Sequence, residues 1–517
     1  MKMKSITVLF LAVAATVASA QHPRDFIADD ALSVLSIQEG IAVNAIIETI
    51  NEESGSKFAD ATYLDTFLAA LFEDPTAVDL TQEFLLAVEP TVLAEGQRPS
   101  GMFGPMPHLF VVCKAKEGRT LTPVGSFLKS SKMVDGWFLA SGEDSVSTQT
   151  KKELSPIFSL LQDAQISAVV RLGPIWKQFG PIAQMMGGMF IGSMNKPGLD
   201  GVISKDQRAQ TKVAREAFKI ASAWCGDVET ISVGLNIENF ELTSIIEVEM
   251  TEANGVKVDN GALIEMASFL VDSPLQYAVS KEMTLKLLAF QQGSLGQQTG
   301  GIPSELLICL QALAEIAGDN VGGLSMDSSN GLTVSALVDV VNQAAYLEGC
   351  SEQVAIMMDF LTDEYNMHLS VSDVPYAWDV SMSETDALEL QAMHAVIHKG
   401  AQLRFKKQGS GRIAMVFGPA SWRAFSAPHI SSLSQVMRSH SRNIAIELAC
   451  SADLRKLIAG FMHVANQESK KQTLIASSPS VKSSLLFGST NTGTFIEFKS
   501  NLMGLAKLVV EMENSTQ

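Results

Sequence analysis

The segment FIADDALSVLSIQE at 26–39 aligns without a gap on FLVDSPLQYAVSKE at 269–282. The alignment pairs Phe26 with Phe269, Asp29 with Asp272, Leu32 with Leu275 and Glu39 with Glu282, an offset of 243 residues. Self-similarity at a fixed offset limits the fold more than composition does, because each copy must be a folding unit in its own right. Two further anchors follow in the same order. Trp137 of DGWFLAS stands opposite Trp378 of YAWDVSM. In RLGPIWKQFGPI and VFGPASWRAFSAPHI, Trp176, Lys177 and Phe179 meet Trp422, Arg423 and Phe425. The expectation is a tandem duplication joined near TEANGVKVDNG at 251–261, with a first lobe over 21–258 and a second over 259–517.

Within each copy the hydrophobic period switches from two to about 3.6 across short turns, as in ISAVVRLGPIW, NIAIELACS before ADLRKLIAGFMHV, and GTFIEF before SNLMGLAKLVVEM. WDVSM precedes SETDALELQAMHAVIHKG, where Ser383 reads as an N-cap and Gly400 as a stop. No glycine-rich loop joins strand to helix, and the strands lack the continuous apolar character of a doubly wound parallel sheet. The predicted class is α+β: two tandemly duplicated lobes, each an antiparallel or mixed sheet packed with helices.

The chain opens MKMKSITVLFLAVAATVASA, in which Lys2 and Lys4 precede an apolar run and an A-x-A site at Ala18–Ala20. This reads as a signal peptide over residues 1–20, and a secreted or periplasmic mature protein from Gln21. The 38 basic and 56 acidic residues give a formal charge of −18, and loss of the two signal lysines makes it −20. That balance opposes binding to nucleic acid. Cys113, Cys225, Cys309, Cys350 and Cys450 are too few and too widely spaced for a disulfide framework or a C-x-x-C metal site.

GPIWKQFGPIAQMMGGMFIGSM, at 173–194, carries a single charge, Lys177. Trp176, Phe179, Ile182, Met186 and Phe190 recur at helical spacing, so the segment reads as a packed helix. Glycines and Pro181 leave it short of a membrane span. Trp176, Met185, Met186 and Met189 are candidate apolar contacts, because methionine adapts to partners and ligands.

Motifs that carry chemistry are scarce, and no catalytic residue is assigned. His394 and His398 lie one helical turn apart, the spacing at which two imidazoles share a metal, but the sequence supplies no third ligand or H-E-x-x-H glutamate. The S-x-x-K match at Ser126–Lys129 lacks its companion motifs. No cofactor is expected.

Charge is segregated along the second lobe. No lysine or arginine occurs from Leu287 to His398, and no aspartate or glutamate from Leu390 to Ile446. The acid-free stretch holds Arg404, Lys406, Lys407, Arg412, Arg423, His429, Arg438 and Arg442. Such a block either pairs with acidic segments of the same chain or presents an anion-binding surface, with arginine forks as bidentate donors.

The signal peptide, FIADDALSVLSIQEG, VDGWFLAS and the doubled layout together resemble a group of uncharacterised exported bacterial proteins built from a domain of unknown function. The resemblance implies an envelope protein and assigns no activity or site. The functional expectation is an exported, non-enzymatic binding or scaffold protein recognising an anionic or apolar ligand; its partner would be an anionic envelope polymer or another envelope protein. The competing expectation is a secreted hydrolase with an unrecognised active site.

Overall fold

The computed structural model describes residues 22–516 except 39, 56–62, 92–105, 126, 147–154, 195–204, 253–255, 295–303, 328–329, 384–396, 398, 420 and 465–479. The signal segment, His394 and His398 lie outside the described residues. Among those described, eighteen strands and eleven α-helices make an α+β protein whose strand pairings are antiparallel. The chain divides into two compact units, Met1–Ser193 with Arg215–Thr251, and Met194–Ala214 with Glu252–Gln517.

The first unit holds β1 (Ser33–Ile37), α1 (Gly40–Ser54), α2 (Tyr63–Ala69), β2 (Phe84–Glu89), β3 (His108–Cys113), β4 (Ser130–Val134), β5 (Trp137–Ser141) and β6 (Ile166–Val170). Then come α3 (Leu172–Met194) and α4 (Lys205–Asp227), of which Met194 and the residues of α4 before Arg215 are grouped with the second unit, then β7 (Val228–Glu238) and β8 (Glu241–Met250). The strand order is β4-β5-β3-β2-β1-β6-β7-β8. Asp135 and Gly136, at φ 50° and 82°, turn the β4–β5 hairpin; a two-residue turn with both φ positive matches the twist of the strands it joins.

Two apolar layers cover this sheet, one on each face. Phe84, Val111, Phe138 and Ala140 point into the first with Leu68 and Phe72; Leu85, Ala87, Phe110, Val112 and Leu139 point into the second with Ile27 and Phe158. Alternation along a strand sends successive side chains to opposite faces, so a strand buried on both sides must be apolar throughout. HLFVVC and WFLAS meet that demand.

The second unit runs α5 (Gly261–Ala267), β9 (Leu275–Val279), α6 (Lys281–Ser294), α7 (Ser304–Ile316), β10 (Ala317–Asp327), β11 (Gly331–Val340) and α8 (Gln343–Tyr365). It continues with β12 (Met367–Val371), β13 (Ala377–Met382), β14 (Ala401–Lys407), β15 (Arg412–Pro419), α9 (Ser432–His440) and β16 (Ala445–Asp453). Last come α10 (Leu454–Val464), β17 (Lys482–Ser489), β18 (Gly493–Asn501) and α11 (Leu502–Thr516). Its strand order is β18-β17-β16-β9-β10-β11-β15-β14-β13-β12. Trp378 packs edge-on against Phe405, with ring centroids 6.0 Å apart, in a cluster that includes Val354 of α8.

Three of the sequence pairings need correction. Trp137 lies on β5, beside β3, whereas Trp378 lies on β13, between β12 and β14. Trp176 follows β6, the neighbour of β1, whereas Trp422 follows β15, two strands away from β9. Trp176 and Phe179 lie on α3, whereas Trp422 ends a turn and Phe425 bridges Leu270, so the likeness of the two segments marks no common position or conformation.

The third correction is one of register. Gln38 N donates to Gln165 O at 2.8 Å and Arg171 N to Leu32 O at 2.8 Å; in the second unit Ser280 N donates to Glu447 O at 2.8 Å and Asp453 N to Pro274 O at 2.6 Å. Were the two units copies, superposing these bonds would set Gln38 beside Ser280 and Leu32 beside Pro274, an offset of 242 rather than 243. A one-residue slip exchanges the faces of a strand, and only the corrected offset puts buried Val34 and Ser36 opposite buried Gln276 and Ala278.

Candidate functional site

The cavity of interest lies in the second unit, where β16, β17 and the start of α6 converge. Asn260, buried and immediately before α5, donates through Nδ2 to Ile444 O at 2.7 Å and Ser441 O at 3.1 Å. Its Oδ1 accepts from Ile446 N at 2.9 Å. One amide side chain thus ties down the chain that enters β16, at three backbone groups that would otherwise be buried without partners.

Next along β16, a register shift between Ile446 and Leu448 makes a bulge at Glu447. Bulges re-aim side chains, and this one places a carboxylate, only 7% exposed, at the cavity wall. Lys286, one turn into α6, reaches Glu447 at 3.2 Å and Glu282 at 2.9 Å. Ser489, at the end of β17, also donates its hydroxyl to Glu447. Burial works against the charge on Lys286, but hydrogen bonds and attraction from the two glutamates outweigh it and raise its pKa. On the facing side, Lys281 N donates to Asp319 at 3.0 Å, while its ammonium group is held by Glu315 O at 2.7 Å.

These groups enclose about 630 Å³, with Lys257 and Asp259 completing the lining. The volume falls in the range of small-molecule sites. Three lysines and four carboxylates face it, with only Val256, Leu263, Ala445 and Ile446 as apolar surface. A wall of mixed sign suits a small hydrophilic ligand offering both donors and acceptors.

No family model, curated protein or solved structure matches the chain.

Sequence reasoning missed this site. None of the eight residues of the basic block lines it. Arg404 and Lys406 share one face of β14 and Lys407 takes the other. Arg412, at the start of β15, binds Glu265 at 2.9 Å and lies over the Phe269 ring at 5.9 Å; this partner holds the Glu265 carboxyl below its ordinary range. His429 stands 3.8 Å from Asp272. Arg423 is in the connection after β15, Arg438 on α9 and Arg442 just beyond it, all exposed. The block is therefore spread along three elements and their connections. Among the described residues, no group of three or more His, Cys, Asp or Glu side chains is placed to hold a metal, and no helix is long and apolar enough to cross a membrane.

Cys113, Cys225, Cys350 and Cys450 are free thiols. Burial pushes Cys350 up to about 12, and Cys113 higher still, so neither is a thiolate at neutral pH.

A second cavity of about 600 Å³ lies in the first unit beside His108. The imidazole stands 3.4 Å from Glu143 and 3.7 Å from Glu89. Glu89 is buried and accepts from Ala28 N at 2.7 Å. Burial lowers the His108 pKa, and the charge of Glu143 only partly offsets it. The unfolded chain therefore takes up this proton first as the pH falls. His108 is expected to withdraw stability progressively as the pH drops through 6.5, the ordinary histidine value, until the folded pKa is passed. Thermal melts between pH 7.5 and 5 check this: the fall in melting temperature becomes shallower in His108→Gln.

Proposed function

We propose that the chain is an exported, non-enzymatic binding protein, built by tandem duplication, whose second unit holds a small hydrophilic ligand in the cavity at Glu447. The supporting observation is a difference between matched positions. With the hydrogen-bond register as guide, Glu447, Lys286 and Ser489 correspond to Gln165, Asn44 and Ile237 of the first unit. There, Gln165 fills the position itself: its Oε1 accepts from Ile237 N at 2.9 Å and its backbone N donates to Asn236 Oδ1 at 2.8 Å. The second unit has a carboxylate, an ammonium and a hydroxyl around open space instead. Charges that a closed arrangement does without are retained where they serve a ligand.

Duplication is further supported by the layout. Each unit has a central strand followed by two helices and two strands on one side, and an antiparallel neighbour on the other that is followed by two more strands, after two helices in the first unit and after α10 in the second. In this reading α8, β12 and β13 are an insertion peculiar to the second copy.

The alternative, a secreted hydrolase, draws on the Ser489 hydroxyl bonded to a buried carboxylate, the arrangement of a nucleophile and its base. Lys286 argues against it, because its ammonium, 3.2 Å from Glu447, already engages the carboxylate that would have to serve as the base. Calorimetric titration with a panel of amino acids, dipeptides and disaccharides, alongside labelling with a fluorophosphonate probe, separates the readings. The expected result is saturable heat for one class, weakened at least tenfold in Glu447→Gln, with no labelling. Labelling that Ser489→Ala abolishes establishes the hydrolase.

A further inference from the structure

The Met-rich helix α3 and its partner α4 carry the most concentrated exposed apolar surface of the first unit. Met186 is 60%, Met189 69%, Phe190 68% and Ile220 65% exposed, with Met185 and Trp224 also above 40%. Two contacts fix how the helices face each other. A Cβ added at Gly187 would run into the Phe218 ring, and one at Gly226 would touch the Trp176 indole at 3.6 Å. From those contacts the 3.6-residue period turns Met186 and Phe190 of α3, and Ala217, Ala221 and Trp224 of α4, to one flank of the pair. Lys177, Arg215 and Lys219 fall on the opposite flank and are exposed.

The charge here runs against the net charge of the chain: α4 carries five basic residues against Asp206, Glu216 and Asp227. In a chain of net charge −18, no acidic residue occurs between Asp163 and Asp200, a stretch that holds Arg171, Lys177 and Lys196. In a two-fold contact with a second copy this basic flank would meet its own like, and the net charge of both copies would add to the repulsion. An anionic lipid bilayer suits both sides: methionine and aromatic side chains enter the acyl boundary, and lysine and arginine stems extend to the headgroups.

We infer that the α3–α4 pair seats the protein on the surface of an anionic membrane, lying on it without crossing it. The net negative charge of the chain is repelled by the same lipids, so binding depends on the apolar and basic side chains of this pair together. The inference is independent of the ligand cavity, whose residues it does not involve.

Co-sedimentation of the full-length mature protein with phosphatidylcholine vesicles, with and without phosphatidylglycerol, tests it. The protein is expected to pellet with the anionic vesicles, to bind the neutral ones at least tenfold more weakly, and to be released by salt. M186E/M189E/F190E and K177E/K219E should each reduce binding tenfold or more with circular dichroism unchanged. Should the apolar variant misfold, quenching of wild-type tryptophan emission by brominated lipid gives the same reading for Trp224. Failure of the wild type to bind anionic vesicles overturns the inference, as does binding that survives both variants. A wild-type dimer in sedimentation that M186E/M189E/F190E converts to monomer also overturns it, by assigning the flank to a second copy.

Discussion

Glu511→Ala is expected to destabilise the second unit by about 3–5 kcal/mol. Its partner Arg455, at the start of α10, is 2% exposed, and the Arg455 guanidinium donates to the Glu511 carboxylate of α11. Removing Glu511 takes away a carboxylate that a buried guanidinium donates to, and a buried charge that loses such a partner costs more than the intact pair contributes. The companion expectation is therefore opposite in kind: R455L/E511L should recover most of the loss, because Val481, Leu505 and Leu508 already provide an apolar surround. Urea unfolding followed by tryptophan emission checks both, and equal destabilisation in the single and double variants would show that the two side chains act separately.

Phe84→Ala should cost the first unit about 3–5 kcal/mol. The ring is fully buried, packs edge-on against Phe67 with centroids 6.2 Å apart, and belongs to the layer containing Phe72 and Phe138. Neighbours on a sheet backbone cannot collapse into the space, so the cavity term adds to the lost transfer energy. Phe84→Leu, which keeps most of the volume, should lose less than half as much. The midpoint of urea unfolding reports the difference, provided the denaturant slope is unchanged.

Much of the architecture was legible in the sequence, because period is a local property. The strand-to-helix switches at Val170–Leu172, Asp453–Leu454 and Asn501–Leu502 fall where the pattern changes from two to 3.6. The α+β class followed from those switches. The exact pairing of repeats was not legible. The segments around Trp176 and Trp422 look alike in sequence, yet one continues as a helix and the other as an irregular connection, because position and conformation are set by hydrogen bonds that a sequence does not display. The same limit holds at β1 and β9: four identities from Phe26–Phe269 to Glu39–Glu282 suggest an offset of 243, but a register is fixed by backbone hydrogen bonds and not by side-chain identity.

The candidate site was the least readable part. Asn260, Lys286, Glu447 and Ser489 are brought together by the pairing of β16 with β9 and β17 across more than two hundred residues, and no motif spacing links them. One signal was present. Glu447 ends the acid-free stretch, between Ile446 and Leu448 in an otherwise apolar strand. A charge inside such a run is expensive unless paired, and so marks a partner to be sought. The basic block drew attention instead because it is contiguous in sequence, yet contiguity says little about convergence: its members occupy β14, β15, α9 and the loops between.

The central claim is that the second unit differs from the first at matched positions in order to hold a ligand. Calorimetric titration of E447Q/K286N/S489I, which installs the first unit's side chains at the three positions, tests it most directly. The account predicts a folded protein, at least as stable as the parent, that no longer takes up the small hydrophilic compound bound by the unaltered chain. Undiminished uptake by this variant would contradict the account and place the ligand elsewhere.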